Sequence, residues 1–359
     1  MKTERIGTPY VIISNPHGMH NYFAWPTLTR LRDGRLAIAA SGFRIDHICP
    51  FGKAVLAFSD DEGKSFTPPT VIIDTALDDR DAGLCPFGRS GLILTSFNNT
   101  VEFQRRINAS CTAPNKKAYV AAYLDRISEQ EEQNSLGITF RITHDNGKTF
   151  GKIHKSPVSS PHGPTELKNG TVLWVGTTFT GNNIRAYTID TENGSMEFLG
   201  EIDTSEIKAG SMLPAEPYTA ETEDGTLICH IRADGTGQTR AFTLFQSISH
   251  DGGRTWSKPQ SILPQTEGAP AHIITHSSGV IISVYTHRKE PYGIKAIFSR
   301  DGGKTWEGEV YICKTTFPTH DIGYPSTVEL GDGSLLTAFY AKTAPYTSAI
   351  FAQKWELKK

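Results

Sequence analysis

Six short stretches of this 359-residue chain concentrate side chains that bind polar ligands or move protons. They read His20-Asn-Tyr-Phe-Ala-Trp25-Pro26, Asp78-Asp-Arg80-Asp81, Pro161-His162-Gly-Pro, Pro214-Ala-Glu216-Pro-Tyr218, Glu267-Gly-Ala-Pro-Ala-His272 and His320-Asp321-Ile-Gly-Tyr324-Pro325. Each offers a carboxylate, an imidazole, a guanidinium or a phenol. Imidazoles titrate near neutral pH and suit acid/base steps, and guanidinium groups fork onto anionic ligands. Gathered in one place, the six would line a polar pocket, because loops on a rigid scaffold are where binding and chemistry concentrate. A metal centre is the weaker use. The nearest imidazole pair, His17-x-x-His20, lies in a Pro/Gly-rich loop without a third ligand, so no metal or other cofactor is expected.

What could gather them is a repeat. Each stretch precedes an apolar run, a polar turn ending in Gly, and a second apolar run. The turn glycines are Gly34, Gly91, Gly170, Gly225, Gly279 and Gly333, spaced 54 to 57 residues apart with one step of 79. That spacing fits a four-stranded propeller blade with its loops. A second repeat runs out of phase. It is the octapeptide Ser/Thr-x-Asp-x-Gly-x-Ser/Thr-Trp/Phe, found at Ser59–Phe66, Thr143–Phe150, Ser249–Trp256 and Ser299–Trp306. Its Asp can accept backbone N–H bonds across a tight turn, its Gly supplies a positive φ, and its aromatic packs the turn down. The third blade has Thr188-Ile-Asp-Thr-Glu-Asn-Gly194 in that place instead.

Six turns predict six blades in one all-β domain over residues 1–359. The long step predicts an inserted loop at about 98–117 in blade two. After Tyr324 only three strands remain, so Pro9–Ser14 is expected to supply the fourth and close the ring, leaving no long open edge.

Composition agrees. Glycine and proline are plentiful at 33 and 20, as short strands and turns require. A net charge of −2 gives no global field for nucleic acid or an anionic membrane. The five cysteines, Cys49, Cys85, Cys111, Cys229 and Cys313, are scattered and odd in number, which argues against a disulfide framework. The first residues lack the apolar core of a signal peptide, so the chain as written reads as cytoplasmic, or as secreted or periplasmic if a leader was removed. Oligomeric state is not readable.

The octapeptide resembles the Asp-box, or BNR repeat, of the sialidase superfamily of six-bladed β-propellers. Further segments carry the resemblance. Gly323-Tyr324-Pro-Ser-Thr-Val-Glu329-Leu-Gly-Asp-Gly333 is similar to the segment bearing that family's Tyr nucleophile. Ala215-Glu216-Pro with Asp224-Gly225 through Arg232 is similar to the segment bearing the Glu that activates it and an Arg of the carboxylate-binding triad. Ser41-Gly-Phe-Arg44-Ile-Asp46-His47 stands where the family places an Arg and an acid/base Asp. The resemblance implies an exo-acting glycosidase that releases a terminal acidic sugar from a glycan. In it Tyr324 is the nucleophile, Glu216 its base, Asp46 or His47 the acid/base, and Arg232 with Arg288 the carboxylate clamp. A phenol suits a sugar with a carboxylate at the anomeric carbon, since a carboxylate nucleophile would be repelled, and a base must take a proton whose ordinary pKa is ~10.

One departure matters. Where the family carries the first triad Arg, this chain has Trp25. Arg44 or Arg80 would have to replace it from a neighbouring loop, or Trp25 would stack on the face of a different sugar. His20, His162, His272 and Asp321 complete the candidate substrate contacts. Two other readings stay open: a glycosidase or lyase for a uronic sugar using the loop histidines, and a carbohydrate-binding propeller without catalysis.

Overall fold

The computed structural model describes residues 1–236, 242–263, 268–314 and 319–358. Glu267, the acid of the fifth polar stretch, lies outside them. Six antiparallel sheets succeed one another along the chain. Blade one is Tyr22–Arg30, Leu36–Arg44, Lys53–Ser59 and Thr70–Ile73. Blade two is Leu84–Phe87, Gly91–Phe97, Ile138–Thr143 and His154–Ser156. In blade three two short pieces, Val158–Ser159 and Thr165–Glu166, share the inner edge of Val172–Thr178, followed by Ile184–Ile189 and Met196–Ile202. Blade four is Met212–Glu221, Leu227–Gly235, Phe242–Ser249 and Gln260–Ser261, and blade five Ala271–Thr275, Ile281–His287, Gly293–Ser299 and Glu307–Lys314. Blade six is Ile322–Glu329, Leu335–Ala344 and Thr347–Lys358.

The sequence predicts a six-bladed propeller closed by the N-terminal strand, and this is the observed architecture. Lys2–Ile13 pairs antiparallel with Thr347–Lys358, in register from Lys2 opposite Lys358 to Ile13 opposite Ile350. The closing strand starts well before the expected Pro9.

The core is a ring of wedges between blades. Leu28, Ile38 and Val55 of blade one pack on Leu336, Ala338 and Ile350 of blade six. Leu173 and Ile184 of blade three pack on Leu227 and Ile231 of blade four. Burying such apolar faces at ~25 cal/mol per Å2 is the main force holding the ring.

The four Asp-boxes are superimposable in their bonding. In each, one carboxylate oxygen accepts the last hydroxyl of the box at 2.6 Å, from Ser65, Thr149, Thr255 and Thr305. These bonds hold the carboxyls of Asp61, Asp251 and Asp301 down to about 2. All four boxes connect the third and fourth strands of their blades, far from the inner strands.

Two details differ from the sequence reading. In blade two the left-handed turn residue is Gly88, with φ +54, and Gly91 instead begins the next strand. The excursion in that blade carries three helices, α1 (Val101–Ala109), α2 (Pro114–Leu124) and α3 (Glu129–Ser135), so it is not a plain loop and it runs past residue 117. Thr100 caps α1, and Ser128 with Glu131 forms a reciprocal capping box on α3. Val120 and Leu124 of α2 pack on Ile45 and Cys49, which anchors the insert over blade one.

Candidate functional site

One backbone device presents the polar residues. On the inner strand of blade four, two residues, Glu216 and Pro217, stand opposite one on the next strand, between the pairs Ala215–Arg232 and Tyr218–His230. Blade six does the same with Tyr324 and Pro325, and blade one with Trp25 and Pro26. These are β-bulges, which break the ladder and re-aim a side chain. The bulged residues Trp25, Glu216 and Tyr324 have φ of 53°, 49° and 51°, in the left-handed region that non-glycine residues avoid. Asp81, just before the inner strand of blade two, has φ 49°. Strain of this kind costs of order ~1–3 kcal/mol per residue and clusters at functional sites.

The bulges of blades four and six are held alike. Glu216 N–H donates to Thr177 Oγ1 and Tyr324 N–H to Thr286 Oγ1, both at 3.1 Å, each threonine belonging to the preceding blade. The phenol of Tyr324 then reaches back over blade five. Its OH donates to Glu216 Oε1 at 2.6 Å, although 108 residues separate the two. Arg232 Nη1 donates to Glu216 Oε2 at 2.6 Å and to the Tyr324 oxygen at 3.1 Å. Its Nε and Nη2 grip Asp234, both at 2.7 Å. Burial raises the Tyr324 pKa well above 10, with Glu216 adding to it and Arg232 opposing. The phenol therefore rests neutral, as a donor to an adjacent carboxylate.

That geometry changes the place of Arg232. Four of its five donors are committed within the protein, so its fork is not open to a substrate carboxylate in this state. Arg288 stands beside it, with its guanidinium 5.8 Å from the Tyr324 ring centroid and 5.6 Å from that of Phe242. Arg80 lies over the Trp25 ring at 4.3 Å. The Nε atoms of Arg288 and Arg80 are buried and find no partner among the described residues.

Three other expected contacts, Arg44, Trp25 and Asp321, are buried. Arg44 is fully buried, paired with Asp78 at 2.5 Å and bonded to Ser41 Oγ and the His47 carbonyl, so it supports the floor and cannot touch a ligand. Trp25 is 1% exposed, with both Arg44 and Arg80 packed over its indole, which leaves no face for a sugar. Asp321 has both oxygens occupied. Tyr22 OH reaches both at 2.8 and 2.9 Å, Tyr340 OH donates at 3.0 Å, and His47 Nδ1 and Lys342 Nζ lie at 2.9 and 3.1 Å. These partners hold its carboxyl far below the usual range despite burial.

His162 and His272 sit deeper, as a buried aromatic plug with Tyr218, which stacks on His272 at 4.5 Å. Burial pushes His272 down to about 3 and His162 well below its ordinary value, so both are neutral. His272 faces a cavity of about 330 Å3 at the far end of the inner strands, with Arg30, Glu166 and Glu329. His20 is pinned at the rim, Nδ1 to the Phe43 carbonyl at 2.6 Å, against Phe51 and Tyr119. Asp46 is half-buried and accepts the His47 N–H at 2.8 Å. His47 stands edge-on to Trp25, centroids 5.1 Å apart, and Tyr324 does so at 6.3 Å.

Asp81 stands in the second polar stretch, but the sequence reading gave it no role. It is buried, its Oδ1 has no partner among the described residues, and burial pushes its pKa up to about 7, with Arg80 opposing and Glu216 adding. Its place before an inner strand, matching Glu216 and Tyr324, was the available signal. A second cavity of about 340 Å3 lies between the helical insert and the Ile45–Cys49 loop, lined in part by Asp46, His47, Asn108, Lys116 and Tyr346. Among the described residues no cluster of three or more His, Cys, Asp or Glu could hold a metal.

The family model described as "BNR repeat-like domain" matches residues 128–336, more than half of the chain. No curated protein matches the sequence. Solved structures share the fold at low identity. A protein of unknown function from Dyadobacter fermentans superposes with a TM-score of 0.78 at 19% identity, covering 99% of both chains. The NanB sialidase of Streptococcus pneumoniae gives 0.69 at 13% identity, over 98% of this chain and 71% of that one. An α-L-arabinofuranosidase, Arb93A of Fusarium graminearum, gives 0.64 at 10% identity, over 98% of each. At these identities the likeness is one of fold.

Proposed function

The chain belongs to the BNR repeat-like domain family, and from that premise we propose that it is a retaining exo-glycosidase for a terminal acidic sugar, working through a Tyr324 glycosyl intermediate. The observation that carries this reading is the 2.6 Å bond from the Tyr324 phenol to Glu216, built from two strained bulges in different blades. Tyr324 attacks the anomeric carbon as Glu216 takes its proton. Arg232 keeps both groups in place and offsets the negative charge that develops on the phenol oxygen. Arg288 and Arg80, with uncommitted Nε atoms, are assigned to the sugar carboxylate, and Asp81 to a sugar hydroxyl. A glycosidase-like fold shared with a sialidase supports the reaction class, and the neutral phenol favours an anionic substrate.

The test is a panel of fluorogenic glycosides of sialic acid, uronic acids and neutral sugars, with the unaltered protein and Tyr324→Phe. The reading expects turnover of an acidic glycoside that Tyr324→Phe abolishes. Release of an unsaturated, ultraviolet-absorbing product from a uronate would instead indicate a lyase. Retention of glycans with no product would indicate a binding module.

A further inference from the structure

We infer that His47, oriented by Asp321, is the general acid/base of this site, and that the cavity under the helical insert receives the leaving group. The inference rests on the glycosidase reading above and deepens it.

Hydrogen bonding fixes the imidazole. Tyr22 has one hydroxyl proton and gives it to Asp321, at 2.8 and 2.9 Å. The contact of Tyr22 with His47 Nδ1, also 2.9 Å, therefore leaves Nδ1 as the donor, and its proton points at Asp321 Oδ1. Asp321 is itself immobilised by Tyr22, Tyr340 and Lys342 from three directions. A carboxylate that locks one ring nitrogen sets the tautomer and leaves the other nitrogen for chemistry. Nε2 has no hydrogen-bond partner among the described residues, and the side chain is 40% exposed. It borders the cavity of about 340 Å3 beneath the insert.

Two carboxyl groups compete for the role. Asp81 is coupled by charge to the nucleophile pair, raising Tyr324 and being raised by Glu216. A displacement needs its proton donor on the side away from the attacking phenol. Asp46 caps the His47 backbone N–H. His47 shares the Trp25 indole with Tyr324, both rings standing edge-on to it at 80° and 77°, and unlike the two carboxyls it offers a ring nitrogen with no protein partner among the described residues.

The steps balance. The glycosidic C–O bond breaks, its electron pair going to the leaving oxygen, which takes the proton from Nε2. The phenol oxygen bonds to the anomeric carbon and its proton passes to Glu216. Water then gives a proton to the neutral Nε2 while its oxygen attacks the anomeric carbon. The tyrosyl bond breaks, and the phenolate recovers its proton from Glu216.

The first half needs the imidazolium. The charged groups facing His47 are Asp321 and Lys342 of blade six, Arg44 and Asp46 of its own loop, Arg80 of blade two, and Lys116 of the insert. Burial lowers its pKa below the ordinary ~6.5, the Arg80 and Arg44 charges add to the fall, and Asp321 opposes it.

The experiment compares two glycosides of the same sugar, one with a nitrophenol leaving group and one with a simple alcohol. His47→Ala and His47→Gln should lose about 100-fold or more in kcat/KM on the alcohol glycoside and less than about 10-fold on the nitrophenyl one, because only the poor leaving group needs a proton. The fall of activity with rising pH should vanish in both variants, and in Asp321→Asn it should move to lower pH. Circular dichroism melts check that each variant is folded. Equal losses on both glycosides, or the leaving-group pattern appearing in Asp46→Asn or Asp81→Asn instead, overturn the dyad while Tyr324 dependence survives. No turnover of either glycoside by the unaltered protein overturns this and the glycosidase reading together.

Discussion

Replacing Glu216 with Gln keeps the shape of the side chain and removes its charge from between the Tyr324 phenol and Arg232. In the unaltered protein one oxygen takes the phenol proton bond at 2.6 Å and the other takes Arg232 at 2.6 Å. An amide accepts no proton from the phenol. An unperturbed phenol is ionised only ~1 part in 10^3 at pH 7, and burial holds this one higher still. Loss of a positioned base typically slows a reaction by ~10^2 to 10^4, or about 3–5 kcal/mol of barrier. Stability should change less. The Glu216–Arg232 pair is partly buried, with side chains 22% and 11% exposed, but Arg232 keeps its two-pronged grip on Asp234. A cost of about 1–3 kcal/mol follows from one charged hydrogen bond. The assay is kcat/KM on whichever glycoside the panel identifies, paired with a thermal melt. A variant within about threefold of the unaltered rate, and folded, would refute the base assignment.

Three further outcomes follow from the structure. The Asp-box carboxyls have folded pKa values near 2 against ~3.9 unfolded, so their stabilisation is whole above about pH 4 and is lost as pH falls toward 2. Melting temperatures of Asp251→Asn/Asp301→Asn should fall less steeply over that window than those of the unaltered protein, and an unchanged slope contradicts the account. Removing residues 1–13 strips the strand that covers Thr347–Lys358 and exposes an edge, so the truncated protein should aggregate at concentrations where the full chain stays monodisperse by light scattering. Trp25→Phe should cost about 2–4 kcal/mol in urea denaturation, because it opens a cavity under two guanidinium groups; an effect under about 0.5 kcal/mol would mean that the indole is not the packed floor described.

The ring was legible because its turns reuse the same chemistry. Each Asp-box repeats one bonding pattern within eight residues, and each blade opens with a hairpin glycine, so local residues suffice. The bulges were half legible. Trp25-Pro26, Glu216-Pro217 and Tyr324-Pro325 share a bulky or charged residue before Pro, which locates an irregular strand but by itself favours extended backbone, not the left-handed φ these residues adopt. Burial was not legible, because it depends on partners remote in sequence. Asp321 looks like a free pocket carboxylate until Tyr22, 299 residues away, is seen bonded to it. Arg44 looks like a clamp until Asp78 neutralises it in the floor. The helical insert hid for a different reason. Its helices are short, and α2 spreads its apolar residues around the helix instead of along one stripe, although Ser128-Glu-Gln-Glu131 spelled a capping box.

The claim on which the rest depends is that Tyr324 forms a bond to sugar. Incubating the protein with a fluorinated acidic glycosyl fluoride, which slows release of the intermediate, and then mapping peptides by mass spectrometry tests it directly. The account predicts a single adduct on the peptide containing Tyr324, absent in Tyr324→Phe. An adduct on Glu216 or Asp81, or turnover with no adduct at all, would contradict it.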